Sequence, residues 1–150
     1  MEIPMKYLAV ILGIFGLDIS IKNCIENRLE EGEQRSKCGG LLIIQKYHNK
    51  GAFLNAGQSR RKVVAALSVL LTLLLTVVFV VSLTKSGSKM LKWGLSMLLG
   101  GAYSNTYDRL KRKYVVDYVS FRIPFKKLRQ VVFNIGDFGI MIGAMLMVVG

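Results

Sequence analysis

Val63–Leu83 reads VVAALSVLLTLLLTVVFVVSL, with no charged residue and with Ser68, Thr72, Thr76 and Ser82 as its only polar side chains. An α-helix needs about 20 consecutive apolar residues to cross the hydrocarbon core of a bilayer. This run therefore predicts a transmembrane helix and sets the medium in which the rest of the chain is read.

Three weaker runs flank it. Tyr7–Leu17 is uncharged and reaches Ile21 if Asp18 is admitted; Trp93–Tyr107 is uncharged but short; Val131–Gly150 carries Asp137 as its only charge. Alone, each would also suit a buried helix of a soluble protein. Together with 63–83, in a chain of 150 residues that is 52% hydrophobic, they predict an all-α membrane protein. The expectation is a single domain over 1–150, a four-helix transmembrane bundle with spans near 5–21, 63–83, 91–107 and 131–149. Lys6 before the first run suits a secretory signal, but Leu17-Asp18-Ile19-Ser20 offers no small-x-small cleavage site, so the run reads as a retained span.

The polar segments are 18–62, 84–92 and 108–130. The first starts helix-like, with Glu26, Arg28 and Glu30 on its flanks, and then contains Leu41–Ile44, which reads as a strand after Gly39-Gly40; the third contains Val115–Ile123, a β-branched and aromatic stretch that Pro124 would end. Four spans put these two segments on one side. Of the 21 Lys and Arg, all but Lys6, Lys85, Lys89 and Lys92 then lie on that side, as do all acids but Glu2. A plain positive-inside count would place it in the cytoplasm.

Net charge is +12, which in a membrane protein predicts contact with anionic lipid headgroups; no basic soluble module is visible, so no nucleic-acid partner is expected. Cys24 and Cys38 share one polar segment and would suit a disulfide if that segment is extracytoplasmic, but they lack metal-type spacing. His48, the only histidine, reads as a loop residue, and neither metal nor cofactor is expected. Gly100-Gly101 and Gly139-x-x-x-Gly143 read as close helix contacts rather than a nucleotide cradle.

Asp137 raises the chemical question. A charge at membrane depth costs from about 2.5 kcal/mol upwards, so it must be compensated or used. Asn105 and Asp108 share a helix face at i,i+3, as do Asn134 and Asp137. Their polar ends can converge just below the surface, level with Asp18. One reading is a buried polar network that pins helix register, with Asp108 and Arg109 as an ion pair. Another is a pair of carboxylates that share a proton and activate water. A third, a carrier using Asp137 as its intramembrane site, lacks the expected repeat.

The motifs also resemble a known family. Leu17-Asp18 with Lys22, Asn49-Lys50-Gly51-Ala52, Gly100–Leu110, Tyr114–Tyr118 and Phe133–Asp137 occur in order across nearly the whole chain. In these blocks the chain resembles lipoprotein signal peptidase (signal peptidase II), a bacterial four-span aspartyl protease. The resemblance implies Asp117 and Asp137 as the catalytic dyad, with Asp18, Asn49, Asn105, Asp108, Arg109 and Asn134 lining or bracing the site. It implies a small extracytoplasmic β-sheet cradle, both termini in the cytoplasm and a site near the outer face of the bacterial inner membrane, against the plain charge count. The implied substrates are prolipoproteins, cut just before a diacylglyceryl-modified cysteine. The chain departs from the pattern at Phe53 and Leu54 (usually Ala-Phe), Ser104 and Lys113 (usually Gly), Gly136 (Ala) and Phe138 (Ser). These changes alter pocket walls and remove no carboxylate; the alternative they raise is a diverged, non-catalytic paralogue that binds lipidated peptides.

Overall fold

The computed structural model describes residues 5–51, 56–125 and 129–150. Ala52 of the second motif block and the departures Phe53 and Leu54 lie outside the described residues, as does Glu2. Four helices and one small sheet organise the rest: α1 (Met5–Arg28), β1 (Gln34–Lys37), β2 (Leu42–Asn49), α2 (Arg61–Thr84), α3 (Lys89–Lys111), β3 (Val115–Phe121) and α4 (Ile135–Val149).

In α2 only Thr72, Phe79 and Ser82 are buried, while Leu67, Leu71, Leu74 and Val78 are exposed. A helix apolar on all sides belongs in lipid or in a large core. Its hydroxyls turn inward instead. Thr72 Oγ1 lies 2.9 Å from Thr106 Oγ1, and Thr76 Oγ1 lies 2.8 Å from the Tyr103 hydroxyl, so the polar groups of the most apolar segment meet α3. Both α1 and α2 are long and apolar enough to cross a membrane; α4 is apolar but shorter.

Two boundaries need comment. α1 runs past the expected span end at residue 21 to Arg28, in line with the helix-like reading of the segment after Asp18. Lys22, which looks like a span-ending charge, is fully buried against carboxylates, and one turn later Ile25 packs with Val116 and Tyr118 of β3. The fourth helix starts at Ile135 rather than 131, because Asn134 is its N-cap and Phe133 pairs with Val119 of β3.

Helices α3 and α4 meet backbone to backbone, as the glycine pattern predicts. A Cβ built on Gly101 would lie 2.0 Å from the Gly136 carbonyl oxygen, and one on Gly94 would lie 2.6 Å from that of Gly143. Only glycine permits this approach at either place. Tyr7 and Ile11 of α1, Phe79 of α2, and Leu95 and Leu99 of α3 form the apolar core at the other end of the bundle.

The sheet is antiparallel in the order β1-β2-β3. Tyr47 stands opposite Asp117 and Asn49 opposite Val115, after an irregularity between Ile44 and Tyr47. The strand expected at Leu41–Ile44 is thus longer, and it takes in His48. That residue is not a loop residue: its Nε2 lies 2.7 Å from Glu26 Oε1, and its ring stacks on Tyr114 at 4.0 Å. Cys24 and Cys38 are exposed free thiols, so the disulfide considered from sequence is not formed.

Candidate active site

The site lies where α1 and α3 end, α4 begins and the sheet docks. β3 delivers Asp117. Side chains alternate along a strand, so Val116 and Tyr118 face α1 while Asp117 faces the opposite way, into a cavity of about 280 Å³. α4 delivers Asp137 from its first turn to the same cavity, and Asn49, Asn105 and Arg109 complete its polar wall. Val131, Ile140 and Met141 contribute apolar lining.

Neutral amides hold both carboxylates. Asn49 Nδ2 donates to Asp117 Oδ2 at 3.1 Å and Asn134 Nδ2 to Asp117 Oδ1 at 2.6 Å. Asn105 Nδ2 donates to Asp137 Oδ1 at 2.9 Å and the Asn134 main-chain N–H to Asp137 Oδ2 at 3.0 Å. The Asn134 Oδ1 in turn accepts from the Asp137 N–H at 2.8 Å, closing a capping box. The i,i+3 spacing of Asn134 and Asp137 is therefore a helix N-terminus signature as well as a shared face. One asparagine contacts both acids.

Among the described residues, no cation is within ion-pair distance of either carboxylate. Burial raises the Asp117 carboxyl to about 7, and the Asp137 charge adds to the shift. Arg109 does not pair with Asp108: its Nη1 donates to the Asn105 carbonyl at 3.3 Å and its Nη2 to that of Gly51 at 3.2 Å.

Asp18 and Asp108 belong to an adjoining cluster behind Asn105. Lys22 Nζ lies 2.7 Å from Asp18 Oδ2 and 3.3 Å from Asp108 Oδ2, and all three side chains are wholly buried. The same ammonium donates to Ser104 Oγ at 3.0 Å and Asn105 Oδ1 at 2.9 Å. An amide whose oxygen is held by a cation must present its NH₂ elsewhere, and here that group meets Asp137. Asp18 also accepts from Ser104 at 2.5 Å and from Tyr118 at 2.8 Å. Asp108 accepts from the Val116 N–H at 3.1 Å and pairs with Arg112 at 3.1 Å.

Of the eight residues singled out from sequence, Asn49, Asn105, Arg109, Asp117 and Asp137 line one cavity. Asn134 bridges the two acids, and Asp18 with Asp108 braces the wall from behind. Lys22, Ser104 and Tyr118 were not singled out as site residues. The signal that could have found Lys22 is its i,i+4 spacing from Asp18; Tyr118 has none, since its partner lies far away in sequence. Among the described residues, no group of three His, Cys, Asp or Glu side chains is arranged to hold a metal.

Comparison with known proteins adds the family. The family model described as signal peptidase (SPase) II matches residues 10–150. A lipoprotein signal peptidase of Clostridium tetani is 30% identical over 145 residues, covering 97% of this chain and 90% of the relative. One of Caldicellulosiruptor bescii is 30% identical over 144 residues, covering 95% and 88%. A solved bacterial membrane enzyme structure superposes with a TM-score of 0.83 at 20% identity, covering 96% of this chain and 85% of that one; a second does so at 0.78, covering 96% and 90%.

Proposed function

The chain belongs to the signal peptidase II family, a family of proteases, and on that premise we propose that it is an aspartyl endopeptidase that removes signal peptides from prolipoproteins bearing a diacylglyceryl-cysteine. Asp117 and Asp137 are the catalytic pair. The observation that carries this reading is that two acids from separate elements face one cavity, held among the described residues by amide donors and joined through Asn134. Two such carboxyls do not both ionise cheaply, so they hold one proton between them.

The ionised member takes a proton from a water positioned between the two, and the neutral member donates a hydrogen bond to the scissile carbonyl. The hydroxide equivalent adds to the carbonyl carbon. The proton taken from water then passes to the departing amide nitrogen as the peptide bond breaks. Asn49, Asn105 and Asn134 aim the carboxylates, Arg109 forms the far wall, and Asp18 and Asp108 fix the position of Asn105 through Lys22.

The chain is further proposed to act as one domain with four membrane-spanning helices, in the inner membrane of a bacterium. Both termini are cytoplasmic and the site lies near the outer face, in contact with membrane lipid. The grouping of site and sheet at one end of the bundle supports this placement.

The test is cleavage of a synthetic diacylglyceryl prolipopeptide by purified wild type, Asp117→Asn and Asp137→Asn. Cleavage by wild type alone, with all three proteins equally folded, is the expected result. Wild type that binds the peptide without cutting it would sink the enzymatic reading in favour of a lipopeptide-binding paralogue.

A further inference from the structure

A second cavity of about 580 Å³ shares Asn49 and Arg109 with the first. The rest of its charged lining is cationic: Lys50, Arg61, Lys62 and Lys113. Among the described residues no carboxylate lines it. Its floor is apolar, made by Val64, Ala65 and Leu110.

Three features give this cavity a direction. Arg61 and Lys62 open α2 immediately before Val63, where the lipid-facing apolar run begins, so the cations stand at the boundary between headgroups and hydrocarbon. The floor passes into the exposed apolar surface of Val63, Leu67 and Leu110. The Arg109 guanidinium between the two cavities makes no ion pair among the described residues; its Nη atoms donate to carbonyls, and its buried Nε has no hydrogen-bond partner there. Positive charge from Arg61, Lys62, Lys113 and Arg109 is thus gathered around an apolar-floored hollow with no carboxylate among the described residues that line it.

Lys113 sharpens the point. It holds φ +69°, a left-handed conformation that is strained for a lysine and that glycine adopts freely. The family pattern that this chain resembles has glycine there. This chain keeps a strained lysine whose gain, on the geometry, is one more cation on the cavity wall.

We propose that the second cavity binds an anionic glycerophospholipid: the phosphate-bearing headgroup among Arg61, Lys62, Lys113 and Arg109, and the acyl chains along the apolar face of α2. Basic pockets beside transmembrane helices take anionic headgroups for this reason. An acidic peptide segment would satisfy the cations and leave the apolar floor unused. The proposal rests on the membrane placement of α2 given above and not on the protease chemistry.

The experiment measures lipid retention by the delipidated full chain in detergent, using native mass spectrometry with phosphatidylglycerol and phosphatidylcholine of matched acyl chains. Wild type is expected to retain phosphatidylglycerol preferentially. The triple variant Arg61→Gln/Lys62→Gln/Lys113→Gln should bind it about tenfold to a hundredfold more weakly, with phosphatidylcholine unchanged. Lys113→Gly alone should give a smaller loss of the same kind. Equal retention of the two lipids, or a triple variant as selective as wild type, would overturn the proposal. So would displacement of the lipid by inorganic phosphate or by an acidic peptide, which would make the cavity a site for that soluble anion instead. Asp117→Asn should keep full lipid retention; cleavage loss and lipid loss are therefore separable, and each bears on its own claim.

Discussion

Two pairs of acids lie on either side of Asn105, and their surroundings are opposite. Asp18 and Asp108 share a wholly buried lysine. Asp117 and Asp137 share an asparagine and meet no cation at contact distance among the described residues. The first pair is neutralised and therefore inert, a fixed point against which the wall is built. The second pair is left with its charge problem unsolved, and a proton must make up the difference. On the proposed function, the same residue type serves as brace or as chemistry according to what stands beside it.

Breaking the second pair should have the largest effect. Asp137→Asn or Asp117→Asn should lower prolipopeptide cleavage by about 10²–10⁴-fold or more, as loss of a general acid or base does, with helical circular dichroism unchanged. Breaking the first pair should act through folding. Lys22→Met leaves Asp18 buried without a cation and Asp108 with Arg112 alone, at a cost of about 3–5 kcal/mol. Thermal unfolding in detergent measures it, and an unchanged midpoint would contradict the brace assignment.

A pH series separates the pairs more finely. Asp117 holds its proton to about 7, so the singly protonated dyad exists below that pH and is lost above it. Cleavage efficiency should fall about tenfold per pH unit on the alkaline side. Stability should follow the same group. Its carboxyl is raised from the ordinary 3.8, so the folded state binds the proton more tightly than the unfolded chain does. Stability therefore declines as pH rises from about 4 to about 7 and levels off beyond. Asp117→Asn should flatten that decline. The smallest effect expected is from Lys113→Gly, which relieves a positive φ and should raise stability by about 1 kcal/mol without changing cleavage.

Much of this was legible in the chain. The lipid-facing α2 follows from an unbroken apolar run, and the α3–α4 seam from glycine spacing. Asn105 and Asp137 stand out because an amide and a carboxylate are anomalous in apolar helices, whereas Asn49, Asp117 and Arg109 are placed at the site only by the resemblance of the motif blocks. The illegible parts have physical reasons. β1 is four exposed polar residues held only by backbone pairing with β2, which leaves no alternation to read. The burial of Lys22 is not legible, because a charge marks a span boundary unless its counter-ions are at hand, and one of them, Asp108, arrives from α3. Asp108 and Arg109 are adjacent in sequence and chemically matched, yet a helix directs them to different neighbours, one to Lys22 and the other to the Gly51 carbonyl. The strain at Lys113 is a backbone property that no side-chain pattern encodes.

The capping box at the start of α4 has a consequence for measurement. The Asp137 amide hydrogen is locked to the Asn134 side chain, which also holds Asp117. That hydrogen can exchange with deuterium only when this contact opens, and a swing of the Asn134 side chain that opens it also takes away one of the two amides on Asp117, leaving Asn49. Its exchange rate is therefore a clock for transient loosening of the bridge between the two acids, readable in resting protein with no substrate present.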